Sequence, residues 1–360
     1  MQFGIHFQLS CAADQSPLQR YRDTIDQAVA AEALGFESVW PVEQHFDAAS
    51  SILPAPMMLL AALSARTTTL RLGTAVALLS LAHPVRVAEE ITTLDVLSDG
   101  RAECGVGRGQ DPAHFAGLGV PQAESSARFA EGIEILRRAL TEEQFTHDGE
   151  FHQMSNLTVV PRPVHQPPPI RIAANSAESF ALAGRLGLPI IAATHVNPID
   201  RLSTLLATYR QARREAGHPD GGDDVTLLAP TYTGVTGDVV HSDLSPAIAR
   251  IVELSTTKID RGLARVPAGP GGDAARSRLL ELRATFDRLD VREMARSGAV
   301  FGTPDDCTET LIRLRDELGA NRVICWFEPG GVIPHDRVLR SMELFSRDVM
   351  PSLAQQSLAA

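Results

Sequence analysis

The chain has 360 residues, of which 44% are hydrophobic, and its formal net charge is −11 at pH 7. This acidic balance disfavours nucleic acids and anionic membranes as partners. No apolar run of about eighteen residues or more appears, so we expect no membrane-spanning helix. The first residues lack the basic and apolar segments of a signal peptide, and we expect a cytoplasmic protein.

Strand and helix patterns alternate from one end of the chain to the other. Eight strands are predicted, over Phe3–Leu9, Ser38–Val42, Leu70–Leu78, Ala102–Val106, Ile170–Ala174, Pro189–Thr194, Val225–Thr233 and Arg322–Phe327. Between and after them, helices are predicted over Leu18–Val29, Ala55–Arg66, Val87–Leu97, Phe129–Leu140, from Ser176, and over Leu202–Ala216, Ser245–Ser255 and Val338–Val349. Eight such units with right-handed crossovers predict an α/β fold, a (β/α)8 TIM barrel. An open doubly wound sheet is the alternative, disfavoured because no Gly-x-Gly-x-x-Gly follows the first strand.

Two segments interrupt the alternation within what we expect to be a single barrel domain over residues 1–360. Asp148-Gly149 between polar, alternating flanks predicts a hairpin insertion near 145–160. The stretch 258–297 contains the glycine- and proline-rich segment 267–272, which we expect to be a flexible loop. Long segments of this kind in compact domains are commonly functional lids, so 258–297 is a candidate lid.

The cysteines and histidines form none of the motifs typical of disulfide or metal sites. No Cys-x-x-Cys, His-Glu-x-x-His or His-x-His occurs. We therefore expect no metal, and free buried thiols at Cys11, Cys104, Cys307 and Cys325. A serine-nucleophile elbow is also absent.

Chemistry-bearing side chains follow the second and third predicted strands. The carboxyl ends of barrel strands carry the active site, so Glu43, Gln44 and His45 are expected at the rim, with His83 nearby. An imidazole suits proton transfer near neutral pH, and Glu43 could orient it. A purely structural role stays open for both histidines, as does pairing of Glu43 with an arginine.

A second group of residues suits a phosphate. Arg108 stands between two glycines, where the backbone can approach a ligand closely. Ser176 opens a helix whose free N–H groups favour an anion, and Ser179 lies one turn later. Arg128 could reach the same face. The alternative is that Ser176 is only a helix cap and that Arg108 pairs with Asp111.

Short motifs also run along the chain in a fixed order, and the ordered set is more specific than any member. They include Gly35–Trp40, Glu43–Phe46, Leu72–Ala75, Ala82–Arg86, Ser98–Arg101, Gly105–Gly109, Gly302–Pro304 and Met342–Pro351. In this order they resemble the bacterial luciferase-like family of flavin-dependent monooxygenases. The resemblance covers nearly the whole chain and implies reduced FMN held at the C-terminal rim of a barrel.

The resemblance also implies roles for individual positions. The residues that fall where the family holds the FMN phosphate are Arg108, Arg128, Ser176 and Ser179. Ala174 and Asn175 fall beside the isoalloxazine ring, and Ala75–Val76 falls at a cis peptide bond beneath it.

Three positions depart from the pattern of the luciferase catalytic subunit. Gln44 replaces a histidine that is the proposed base in light emission, so the aldehyde-to-light reaction is disfavoured. His114 replaces an acidic residue near the flavin, and Thr194 replaces an aromatic residue beyond the sixth strand. We therefore expect flavin binding with a different substrate.

The sequence thus predicts a two-component monooxygenase, in which a separate flavin reductase supplies reduced FMN. Molecular oxygen would react through a flavin hydroperoxide with a hydrophobic organic substrate, such as a biosynthetic intermediate. His45, Glu43 and His83 are the predicted catalytic residues, and a homodimer is expected from the resemblance. The alternatives are a deazaflavin-dependent hydride-transfer enzyme and a non-catalytic flavin-binding protein.

Overall fold

The computed structural model describes residues 1–11, 15–219, 221–266 and 269–354. The strands are β1 Gln2–Phe7, β2 Ser38–Pro41, β3 Arg71–Leu72, β4 Ala77–Leu78, β5 Cys104–Gly107, β6 Phe145–Asp148, β7 Gln153–Leu157, β8 Ile170–Ala173, β9 Ile190–Ala193, β10 Val225–Thr233, β11 Val300–Gly302 and β12 Arg322–Trp326. The helices are α1 Pro17–Ala33, α2 Pro56–Ser64, α3 Pro84–Leu97, α4 Pro112–Leu118, α5 Ser125–Thr141, α6 Ala177–Leu186, α7 Ile199–Glu215, α8 Gly237–Arg265, α9 Pro270–Phe286, α10 Val291–Ser297, α11 Pro304–Leu318, α12 His335–Asp348 and α13 Met350–Ala354. Short 3₁₀ turns lie at Gln122–Glu124 and Pro329–Gly331.

The main sheet closes on itself. Its parallel strands follow the order β3-β2-β1-β12-β10-β9-β8-β5-β4, with β11 added beside β10. The first and last members, β3 and β4, are two pieces of one strand, and Leu72 also bridges to Ala102 just before β5. The predicted barrel is therefore confirmed, and the open doubly wound sheet is wrong.

The predicted third strand is the main correction within the barrel. Residues 70–78 are largely apolar and were predicted as one continuous strand, but the structure divides them into β3 and β4. Between the two pieces, the Ala75–Val76 peptide bond is cis. The family resemblance placed a cis bond at this position, and the structure has it.

The segment 258–297 also differs from expectation. Helix α8 spans 29 residues, passes through Pro246 and runs to Arg265, and α9 begins at Pro270. Proline is favoured in the first turn of a helix, which is why Pro270 starts α9 instead of lying in a loop. Residues 267 and 268 of the predicted loop lie outside the described residues. Helices α4, α11 and α13 and strand β11 were not predicted.

A buried ionic cluster lies at the start of β5, among the N-terminal ends of the barrel strands. Glu103 accepts hydrogen bonds from Arg71 at 2.5 Å, Arg171 at 3.0 Å and Arg322 at 2.9 Å. Burial alone would raise the pKa of this carboxyl, but the three guanidinium groups lower it to about 2. The cluster joins three strands at the end of the barrel opposite to the rim.

The cysteines and the predicted hairpin insertion can also be located in the structure. The four cysteines are free, and three of them are buried whereas Cys11 is partly exposed. Strands β6 and β7 pair as an antiparallel hairpin.

In the described ranges, no group of three or more His, Cys, Asp or Glu side chains could hold a metal ion. None of the helices there combines the length and hydropathy that crossing a membrane requires.

Candidate active site

Glu43 connects two neighbouring strand ends at the barrel mouth. One carboxylate oxygen bonds the Nε2 atom of His45 at 2.8 Å, and the other accepts the backbone N–H of Leu78 at 3.0 Å. Both side chains are only 15% exposed, so little solvent competes for these bonds. The carboxylate therefore fixes the orientation of the His45 ring against the strand that follows the cis peptide bond.

His114, from α4, packs edge-on against His45 with ring centroids 5.4 Å apart. Its Nε2 atom lies 3.1 Å from the side-chain nitrogen of Gln44 and 3.3 Å from the backbone nitrogen of His45. Both neighbours donate, so Nε2 accepts and the ring proton lies on Nδ1. Burial lowers the pKa of His114, which keeps the ring neutral in this tautomer. The two departures noted in the sequence, Gln44 and His114, are thus direct partners.

Lys258 joins the candidate lid to the rim. Its ammonium group lies 2.7 Å from Asp47, which follows β2, and 3.9 Å from Asp111, the residue that caps α4. Burial would raise the pKa of Asp47, but the hydrogen bonds from Lys258 and Ser50 lower it overall. Lys258 is the only lysine in the sequence. The contact holds α8 against two rim loops.

A groove of about 180 Å³ lies between the ends of β5 and β8. Arg108 donates to the Ser126 hydroxyl at 2.6 Å and lies 3.8 Å from the carboxylate of Glu178. The predicted pairing of Arg108 with Asp111 does not occur. The groove is lined by Val76, Leu78, Gly107, Arg108, Gly109, Gln110, Ser126, Phe129, Ala173, Asn175, Ser176, Glu178, Ser179 and Leu182.

The N-terminus of α6 opens into this groove. Ser176 and Ser179 form a capping box, in which each hydroxyl accepts the other residue's backbone N–H. The Ser179 hydroxyl also accepts the N–H of Asn175 at 3.1 Å. One guanidinium, three hydroxyl groups and a helix N-terminus are the donors that a phosphate requires. The residues present therefore fit a phosphate group.

Arg128 and His83, two of the predicted site residues, do not line the groove and have other partners. Arg128 forms a 2.8 Å ion pair with Glu124, and its guanidinium lies 4.4 Å above the ring of Phe151 in the hairpin. His83 is exposed and caps α3, accepting the backbone N–H of Val85 at 3.3 Å. Its ring packs on His152 at 4.8 Å.

An apolar floor extends across the mouth of the barrel beside the groove. It is formed by Trp40, Ala75, Ile191, Leu228, Ile324 and Trp326. Val76, which lines the groove, packs against this cluster. Ala174, next to the groove, is fully buried.

A second, largely apolar cavity of about 260 Å³ lies beneath helices α8, α9 and α10. Trp326 belongs both to the floor and to this cavity, so the floor joins the cavity to the groove. His195 also borders the cavity, and the residue is exposed to solvent.

Comparison with known proteins identifies the family. The family model described as luciferase-like monooxygenase matches residues 1–322. The chain belongs to the luciferase-like monooxygenase family. The predicted family and enzyme class, a flavin-dependent monooxygenase, are thereby confirmed.

Relatives of this luciferase-like chain carry out different reactions. The alkanal monooxygenase alpha chain of Photorhabdus luminescens is 28% identical over 91% of this chain and 90% of its own length. An F420-dependent glucose-6-phosphate dehydrogenase of Segniliparus rotundus is 28% identical over 92% of this chain and 94% of its own. The crystal structure of monooxygenase RslO1 from Streptomyces bottropensis has a TM-score of 0.81 and 27% identity, covering 98% of this chain and 100% of that one. Membership of this family therefore establishes the barrel fold. It does not decide whether the cofactor is FMN or the deazaflavin F420.

The luciferase-like site also contains residues that sequence reasoning missed. Ser126 contacts Arg108 from the first turn of α5, and nothing in the local sequence indicates that contact. His195 and Trp326 end two predicted strands, where a search for rim residues could have included them. Lys258 carried a signal, because a single lysine in an arginine-rich chain is unusual.

Proposed function

We propose that this protein is the oxygenase component of a two-component monooxygenase that uses reduced FMN and molecular oxygen on an apolar organic substrate. The observation that supports this proposal most strongly is that the groove, the apolar floor and the cavity adjoin one another. A groove with phosphate-type donors leads across an apolar floor to a cavity covered by helices. FMN has a phosphate at one end and a largely apolar ring system at the other, which matches this sequence of surfaces.

The groove residues would hold the phosphate. Arg108 would supply a charge-assisted bond, and Ser176 and Ser179 would donate from the helix N-terminus. We propose that Arg128 also binds the phosphate, once its ion pair with Glu124 has broken. Ser179 now accepts N–H groups that the phosphate would accept in its place.

The floor would hold the ring system. Ala75 belongs to this floor, and we place Ala174 and Asn175, at the end of β8, beside the ring system, since their small or amide side chains leave room for a planar group. Reduced FMN supplies two electrons to molecular oxygen. Protons must then be delivered close to the ring while bulk water is kept out.

Proton delivery is the role that we assign to His45. Glu43 orients its ring at 2.8 Å, and the pair is shielded from solvent. General acid catalysis by such a pair contributes about 10²- to 10⁴-fold. His83 is proposed as a second, outer proton-transfer residue, and its exposure makes it easy to test separately.

Two partners and a lid complete the proposal. A separate flavin reductase would deliver the reduced cofactor, and two copies of the chain would form a homodimer. The segment 258–297 would act as a lid, since α8 to α10 cover the cavity and Lys258 ties them to the rim.

A deazaflavin-dependent hydride transfer is the second candidate, favoured by the F420-dependent relative. The two candidates differ in their need for oxygen. A non-catalytic flavin-binding role is disfavoured, because all of the barrel strands are present in the described ranges.

Oxygen consumption separates these functions. The purified protein and candidate substrates would be mixed with reduced FMN or, in parallel, with reduced deazaflavin, each in air-saturated and in oxygen-free buffer. We expect reduced FMN to support product formation that depends on oxygen. Product formed from deazaflavin without oxygen would select the second candidate instead.

A further inference from the structure

The groove between the ends of β5 and β8 contains a negative charge beside its positive one. Among the described residues that line it, Arg108 is the only cation and Glu178 is the only anion. Their charged groups lie 3.8 Å apart. A phosphate monoester carries a charge of about −1.5 to −2 at pH 7. The carboxylate of Glu178 therefore opposes the binding of such a group, although the other donors of the groove favour it.

Arg128, the second arginine of the proposed phosphate site, is paired in the same way. Its guanidinium forms a 2.8 Å ion pair with Glu124. Carboxylate and phosphate oxygens accept the same charge-assisted hydrogen bonds from a guanidinium. Each arginine thus already has an acidic partner that a phosphate would have to displace. Of the two acids, Glu178 lines the groove itself and Glu124 does not.

Glu178 also has a simpler role, which must be separated from competition with a ligand. It lies in the first turn of α6, where a negative side chain stabilises a helix by interacting with the macrodipole. If this were its whole role, Glu178→Gln would lower the unfolding temperature slightly and leave the affinity for flavin unchanged. Competition for Arg108 predicts instead that the affinity for flavin rises when the carboxylate is removed.

The exposure of Glu178 limits the strength of the competition. The side chain is 68% exposed and its contact with Arg108 is a long one, so the carboxylate can turn toward solvent when a ligand binds. Its negative charge nevertheless stays close to the groove. A single and a double negative charge about 5 Å apart in water repel each other enough to weaken binding by about five- to tenfold, once salt screening is included.

We propose that Glu178 competes with the phosphate of the ligand for Arg108, and thereby determines how tightly the groove holds a phosphorylated flavin. The inference rests on the proposed function in that this phosphate would be that of FMN. A flavin that a separate reductase delivers must leave after each turnover, and the competing carboxylate speeds its release. Glu178 is then a residue that determines affinity for the phosphorylated ligand, and it takes no part in the chemical steps.

Fluorescence titration with oxidised FMN and with riboflavin tests the inference on the full-length protein. We expect Glu178→Gln to bind FMN about five- to tenfold more tightly, and to release it more slowly. Riboflavin lacks the phosphate and should bind both proteins equally. The gain for FMN should shrink at high salt, because exposed charges are screened. Glu309→Gln changes an exposed glutamate of α11 outside the groove lining and should bind like the parent protein.

A double variant shows whether the gain depends on Arg108. In the Arg108→Ala protein, adding Glu178→Gln should increase the affinity for FMN less than it does in the parent protein, because the contested guanidinium is gone. An undiminished gain there would overturn the inference. So would equal affinity of the parent protein and Glu178→Gln for FMN, or an equal gain for FMN and riboflavin. In each of these cases FMN still binds, so the proposed function is not refuted.

Inorganic phosphate serves as a second probe, since it binds without a ring system. If neither protein binds FMN but Glu178→Gln binds phosphate more tightly than the parent protein, the proposed function fails and the inference stands. If neither protein binds FMN and their phosphate affinities are equal or too weak to detect, both are overturned. Calorimetric titration at low ionic strength measures phosphate binding for this comparison.

Discussion

The carboxylate of Glu43 lies 2.8 Å from the Nε2 atom of His45 while it also accepts the N–H of Leu78 at 3.0 Å. One side chain thereby holds the imidazole and the strand after the cis peptide bond in a fixed relationship. A proton-transfer group is effective only when it is held within hydrogen-bond reach of the reacting atom. Glu43 is accordingly a positioning residue for His45.

Replacing His45 should impair chemistry and spare flavin binding. We expect His45→Ala to lower the rate of product formation by about 10²-fold, because general acid catalysis is lost. Glu43→Gln should lower it less, since the amide still bonds the ring. Turnover measured with saturating reduced FMN checks both variants, and an unchanged rate in His45→Ala would remove it from the mechanism.

His83 offers a separate test of the second histidine. His83→Asn retains a side chain that can cap α3, so the fold should be unaffected. If His83 transfers protons as proposed, turnover should fall and the pH dependence of the rate should change. A variant indistinguishable from the parent protein would assign His83 to helix capping alone.

If the groove binds the FMN phosphate, replacing Arg108 should weaken the binding of FMN but not the binding of riboflavin. Arg108→Ala should weaken FMN binding by about ten- to a hundredfold, the usual range for a hydrogen bond to a charged group. Riboflavin, which lacks the phosphate, should bind both proteins equally. Fluorescence titration measures both ligands, and the exposed Arg137 supplies the matched control Arg137→Ala. An equal loss for riboflavin would contradict a phosphate contact.

Breaking the contact between Lys258 and the rim should affect how tightly oxygen consumption is coupled to product formation. It should affect the stability of the fold much less. The Lys258 side chain is 43% exposed, and such ion pairs contribute only about 0.2–1 kcal/mol to folding. We therefore expect Lys258→Met to unfold at nearly the parent temperature but to release more hydrogen peroxide per oxygen consumed. Asp47→Asn should act in the same direction, and peroxide release unchanged in both variants would exclude a lid contact.

The Glu103 cluster predicts an acid-dependent loss of stability. The carboxyl has a pKa of about 2 when folded, against 4.5 for the free group. Because the folded value is the lower one, the unfolded chain takes up the proton first as the pH falls. The stabilisation is complete above about pH 4.5 and is lost as the pH falls toward about 2.

Glu103→Gln tests the same cluster by removing its charge. Three arginines would be left without their shared partner, and breaking a buried ion pair costs about 3–5 kcal/mol. Denaturant unfolding at pH 7 should show this loss, and the variant should lose less stability than the parent protein between pH 5 and pH 3. Equal stability of the two proteins at pH 7 would contradict the assignment.

The barrel could be predicted because local patterns repeat. Strand β10 was predicted with its observed bounds, since its nine residues are all buried and predominantly apolar or β-branched. The division of the third strand could not be predicted from residue pattern, because the residues on both sides of the cis bond are apolar and typical of a strand. The predicted helix Ser245–Ser255 covers only the middle of α8, which continues on both sides and contains Pro246 in its interior.

The sequence predicts those parts of the candidate site whose residues lie close together in the chain. Glu43 and His45 are two positions apart, so their pairing was foreseeable. The contacts of Lys258 with Asp47 and Asp111 join distant segments, and only the folded chain brings them together. The same holds for His195 and Trp326, whose rings pack together although they lie far apart in the sequence.

Anaerobic titration with reduced FMN, followed by a pulse of oxygen, decides whether this chain is a reduced-FMN monooxygenase. We expect reduced FMN to bind more tightly than reduced deazaflavin, and peroxide to appear more slowly from the bound flavin than from free reduced FMN. Failure to bind reduced FMN, or preferential binding of reduced deazaflavin without reaction with oxygen, would contradict it.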